Sequence, residues 1–192
     1  MLIQAIAVVA LSIAAAAQLP DAREALRLGR SQDEALYAAF TKGYELAVAE
    51  PVDLAEIVTE FRRAVLIVRD RARLGEFGFT ERDLNVAMTP QLGLISFVVQ
   101  ARLNPMHTYA RPPAYELYVA TGPDTAPLAG RETRRDPVYG PGLMMGSPLV
   151  GVRLEITLPR AQIEAAPRPE LILTDENANV LWRSRIDLSR FR

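Results

Sequence analysis

The sequence predicts an α+β fold, with N-terminal helices packed on an antiparallel, β-sandwich-like C-terminal sheet. Three observations carry that expectation. Between residues 18 and 88 apolar side chains recur at helical spacing. After Pro90 the texture changes to short strand-like runs, "LISFVVQARL", "YELYVATG", "LVGVRLEITL", "ELILTD" and "NVLWRSRIDL". Clusters of Pro, Gly, Asn and Asp separate these runs, as turns between antiparallel strands require.

Residues 1–17, "MLIQAIAVVALSIAAAA", carry no charge and end in small residues. An apolar core of that length before an A-x-A motif reads as a secretory signal cleaved ahead of Gln18. No basic residue precedes the apolar run, so an uncleaved anchor is the alternative; the charged "DAREALRLGR" beyond Pro20 supplies no stop-transfer pattern. The expected organisation is a signal peptide over 1–17, a mainly helical portion over 18–88 and a sandwich-like domain over 89–192. The expected location is periplasmic or secreted.

Within the helical portion, Ser31 followed by Glu34 forms a capping-box pattern, and Leu36, Ala39, Phe40 and Gly43 then fall on one face. Thr59 opens a second helix in which Phe61, Val65, Val68 and Ala72 recur at helical spacing, with Gly75 suited to a left-handed cap. The "AVLIV" inside it would equally suit a buried strand. Its arginine-rich face suits either an anionic membrane surface or solvent beside a packed sheet, and packing on the sheet is preferred. Thr80 with Asp83 starts a third helix, closed by Thr89-Pro90.

Among the strands, Val152, Leu154, Ile156 and Leu158 alternate with Arg153, Glu155 and Thr157, so one face is expected to be solvated. "DENAN" reads as a hairpin turn of Asx chemistry, because its spacing lacks the glycine and the glutamate of a calcium loop. Trp182 is expected to pack in the last strand. Residues 122–148 form a long connection rich in Pro and Gly, which makes it a candidate recognition loop.

Composition narrows the functional classes. At 192 residues the chain can bury roughly 70% of its unfolded surface and needs no cross-link to hold a core. There is no cysteine, which removes disulfides, thiol catalysis and thiolate metal sites. With 22 Lys+Arg against 23 Asp+Glu, no basic face for nucleic acid is expected. Arginine supplies nearly all the positive charge, Lys42 being the one lysine.

The candidate sites cluster in two stretches. "NPMHTYARPPAYELY", residues 104–118, holds the one histidine and three prolines that fix its backbone angles. In an extended chain His107 and Tyr109 share a side, while Tyr115 and Tyr118 face opposite ways. Arg111 lies on the same connector, and Arg131, Arg134 and Arg135 lie in the long connection, where guanidinium groups grip carboxylates. Glu132 and Asp136 stand among them as local neutralising groups. Met106 and His107 with Met144 and Met145 would suit copper(I) if the two stretches met.

The leading functional expectation is an exported, soluble binding or structural module of the cell envelope. It would recognise an envelope protein or an anionic ligand through loops 104–118 and 122–148, with no cofactor and no membrane span after signal removal. The competing expectation is a small hydrolytic or metal-dependent enzyme built on His107, although Ser147 lacks the frame of a nucleophile elbow. A third is a structural subunit that joins an assembly through a sheet edge.

Overall fold

The computed structural model describes residues 21–122, 126–141 and 147–191. The predicted signal segment, Met144 and Met145 lie outside the described residues. The fold is α+β as expected, with helices towards the N-terminus and two antiparallel sheets towards the C-terminus. Among the described residues no helix is long and apolar enough to cross a membrane.

Helix α1 (Ala22–Gly29) buries Ala25, Leu26 and Leu28 and lies against α3 (Glu60–Arg73), which buries Phe61, Ala64, Val65 and Val68. The approach is so close that a Cβ on Gly29 would stand 2.6 Å from the Val68 side chain and 2.9 Å from the Val65 carbonyl oxygen. Thr59 caps α3 by accepting from the Arg62 amide, and Gly75 beyond its end takes φ +79°, as the sequence requires. Thr80 and Asp83 form the reciprocal capping box of α4 (Glu81–Met88), which a 3₁₀ turn over Thr89–Gln91 closes.

Helix α2 (Glu34–Lys42) departs from expectation at its start. Its cap is Asp33, whose carboxylate accepts from the Leu36 amide at 3.0 Å, while the Ser31 hydroxyl accepts from the Asp33 amide. Glu34 does not return to a serine cap; Arg69 draws it away at 2.6 Å. None of the α2 residues is fully buried. Tyr37 and Phe40 are partly buried against the core, and arginines of α3 stack on them: the Arg69 guanidinium sits 3.6 Å from the Tyr37 ring centroid, and Arg62 sits 5.3 Å from that of Phe40. The Nε groups of Arg62 and Arg69 are buried with no oxygen acceptor among the described residues, so these ring faces are their polar neighbours.

The first sheet has the order β1-β2-β5-β4, with β1 (Val52–Val58), β2 (Leu94–Arg102), β4 (Glu132–Tyr139) and β5 (Leu149–Pro159). The second has the order β3-β6-β7, with β3 (Glu116–Ala120), β6 (Glu170–Thr174) and β7 (Val180–Arg185). A short helix α5 (Arg160–Glu164) joins β5 to β6. The five predicted strand runs are all present. Two strands are additional: β1 comes from the mainly helical portion, and β4 replaces the middle of the predicted 122–148 loop with a strand paired to β5.

Register assigns the faces. Ile57, Phe97, Leu154 and their alternate neighbours form one buried face and share a single core with Leu117, Val119, Leu171, Leu173 and Trp182 of the second sheet. The alternation predicted for β5 is present, but its polar face is not simply solvated: Thr157 is 6% exposed, because α3 covers part of that face. The opposite face of the first sheet carries Glu56, Ser96 and Glu155, which α3 reaches through Arg62 to Glu56 at 3.2 Å and Arg63 to Glu155 at 3.8 Å.

Candidate functional site

β4 is an edge strand, and its alternation divides the predicted arginine cluster. Arg134 shares the outer face with Asp136, its partner at 2.7 Å, and lies opposite Glu155 of β5. The Asp136 carboxylate, with smaller help from Glu155 and Glu132, holds the Arg134 pKa above its ordinary value, so the expected local neutralisation is present. Arg131 precedes the strand and is tied to β5 by its amide, which donates to the Thr157 carbonyl at 2.8 Å. Arg135 pairs with Leu154 in register and so turns towards the second sheet, where its guanidinium donates to the Tyr115 carbonyl.

That contact closes one end of a cleft of about 800 Å³. One wall is the connector over residues 108–115, a second is Arg135, and a third is the β6–β7 turn at Asp175, Glu176 and Asn177. Pro112 and Pro113 stiffen the connector by removing backbone donors and fixing φ. The turn is held by its own Asx chemistry: Asp175 accepts from the Asn177 amide at 2.9 Å, the Asn179 amide at 2.8 Å and the Asn179 side chain at 2.9 Å. Ala178 at φ +61° completes it. The walls are thus constrained locally, by proline geometry on one side and by Asx hydrogen bonds on the other.

Electrostatically the cleft is mixed. Arg111 and Arg135 bring positive charge, and Asp175 and Glu176 bring negative charge. The Asn179 side chain, followed by the two backbone amides, keeps the Asp175 carboxyl below the usual carboxylate range. Burial pushes the Tyr115 phenol up from its ordinary value, and Tyr109 and Asp175 add to the shift. Tyr115 is therefore a neutral hydrogen-bonding phenol at physiological pH. A neighbouring pocket of about 510 Å³, bounded by residues 50–53 and 102–105, also reaches Tyr115.

Of the predicted binding residues, Tyr109, Arg111 and Arg135 line one cleft, whereas Arg131 and Arg134 do not. His107 is exposed beside it, its ring centroid 6.2 Å from that of Tyr109, so the shared side expected of the pair is present. Among the described residues its imidazole has no hydrogen-bond or ion-pair partner. Met106 is 88% exposed next to it. Tyr115, Asp175, Glu176 and Asn177 were not among the predicted site residues. The turn composition of "DENAN" was visible in the sequence, but its position beside a connector some sixty residues upstream was not.

Comparison with family models, curated proteins and solved structures finds no match. Two phenols, two guanidinium groups and two carboxylates line this open cleft.

Proposed function

We propose that the protein is an exported binding module of the cell envelope that holds an extended segment of a partner protein in the cleft between the connector, β4 and the β6–β7 turn. The observation that carries this reading is the convergence of Tyr109 and Arg111 of the connector with Arg135 of β4 and the β6–β7 turn on one cleft. Tyrosine and arginine supply large contact area and directional hydrogen bonds, which is why they dominate binding hot spots. Both signs of charge line the cleft, which favours a polypeptide carrying both over a simple anion. The apolar segment over residues 1–17 supports export.

The test is co-purification from the native host of C-terminally tagged protein, with mass spectrometry of bound proteins and elemental analysis of the same eluate. A stoichiometric protein partner is expected, and Tyr109→Ala with Arg111→Ala should reduce its recovery about tenfold or more. The protein itself should have the mass of a chain beginning at Gln18. Retention of the partner by the double variant would refute the cleft reading. Stoichiometric copper or zinc without a protein partner would favour the enzyme alternative around His107.

A further inference from the structure

Tyr118 does not belong to the cleft that Tyr115 lines. Tyr115 ends the connector just before β3, whereas Tyr118 lies on β3 and emerges on the face of the second sheet turned away from the core. Register places one row across that face, Tyr118 of β3 beside Ile172 of β6 beside Arg183 of β7. The next row is Ala120, Glu170 and Arg185. An outward face of a small sheet is ordinarily polar and flat. Here it holds a groove of about 750 Å³, with Pro127 and Pro167 among its walls.

The groove has a floor and a charged rim. Ile172 is only 8% exposed although it lies on the outward face, and Val180 beside it is 44% exposed. Arg168, Arg183 and Arg185 stand around that floor, where Glu170 is the one carboxylate among the described lining residues. Only Arg185 is engaged by Glu170, at a loose 3.9 Å. Among the described residues Arg168 and Arg183 have no ion-pair partner. An apolar floor beside two guanidinium groups with no ion-pair partner among the described residues matches a ligand with an apolar body and an anionic head.

We propose that this outward face is a second binding site, for a small organic anion whose apolar body lies on Tyr118 and Ile172 and whose carboxylate or phosphate pairs with Arg183 and Arg168. It is independent of the cleft described above: the two share no lining residue. The head group could belong to a free organic acid or to a lipid, and the proposal is the free acid.

The test is a backbone-amide NMR titration of the protein with decanoate below its micelle concentration. Perturbed amides are expected along β3, β6 and β7 around Tyr118, Ile172 and Arg183. Decanol, which has the same chain without the charge, should bind at least tenfold more weakly. Arg168→Gln and Arg183→Gln, both exposed substitutions that spare the core, should each weaken decanoate about tenfold. Equal binding of decanol, perturbations centred elsewhere, or indifference to both arginine variants would overturn the proposal. Capture of the protein by phosphatidylglycerol vesicles with no response to decanoate would overturn it in favour of a lipid surface.

Discussion

Glu56 is 7% exposed and has two cations for neighbours, Arg62 at 3.2 Å and Arg153 at 3.6 Å. A buried pair of this kind adds little over well-packed hydrocarbon, but losing one partner strands a charge without water. Glu56→Ala should therefore destabilise the protein by roughly 3–5 kcal/mol in urea denaturation. Replacing both partners, Glu56→Leu with Arg62→Met, should cost far less than the single change. A single variant as stable as the parent would show that Arg62 does not depend on Glu56. The same glutamate explains why β1 was illegible. In "VDLAEIV" the acids Asp53 and Glu56 stand three apart, a helical interval, and nothing in the sequence marks Glu56 as an acid buried beneath a helix with an arginine partner.

Among whole elements, the α1–α3 contact turns on one missing side chain. Alanine favours helix over glycine by about 1 kcal/mol, yet at Gly29 its methyl would meet the Val65 backbone oxygen at 2.9 Å, which cannot turn aside. The clash wins: Gly29→Ala should lower stability by about 1–3 kcal/mol, seen as a drop in Tm. An unchanged or raised Tm would mean that α1 slides on α3. Legibility at this scale followed local chemistry. The Thr80–Asp83 box, the Gly75 cap and the alternation of β5 are rules of neighbouring residues, and each was readable. β4 was not. "ETRRDPVY" is charged and contains Pro137, marks of a loop in isolation and of a guarded edge strand once β5 lies beside it.

For the molecule as a whole, charge decides the acid limit. Asp83, Asp175 and Asp187 are each held below the usual carboxylate range by hydrogen bonds, from Thr80, from Asn179 and from Ser189 respectively. Their folded-state values are depressed, so the stability they contribute is present above the unfolded value of about 3.9 and is lost as pH falls through the lower folded values. Circular dichroism across that range should show a falling limb below about pH 4. Asp83→Asn should flatten that limb; an identical slope would remove Asp83 as a contributor. The candidate cleft was half legible for a related reason. Tyr109, Arg111 and Arg135 were chosen by residue type, but only the docking of two sheets brings the connector, β4 and the β6–β7 turn together. Residue type can be read along a chain, whereas which turn meets which connector is set by strand order.

Helix α2 is attached differently from its neighbours. Cooling weakens apolar burial, and ionic strength screens charge. α1 depends on the first kind of contact, whereas α2, with no fully buried residue, adds the Arg69–Glu34 pair and stacked guanidinium groups to the packing of Tyr37 and Phe40 on the core. Salt should therefore loosen α2 more than α1, and the helix that carries more of its attachment as charge is the one whose hold a saline medium changes.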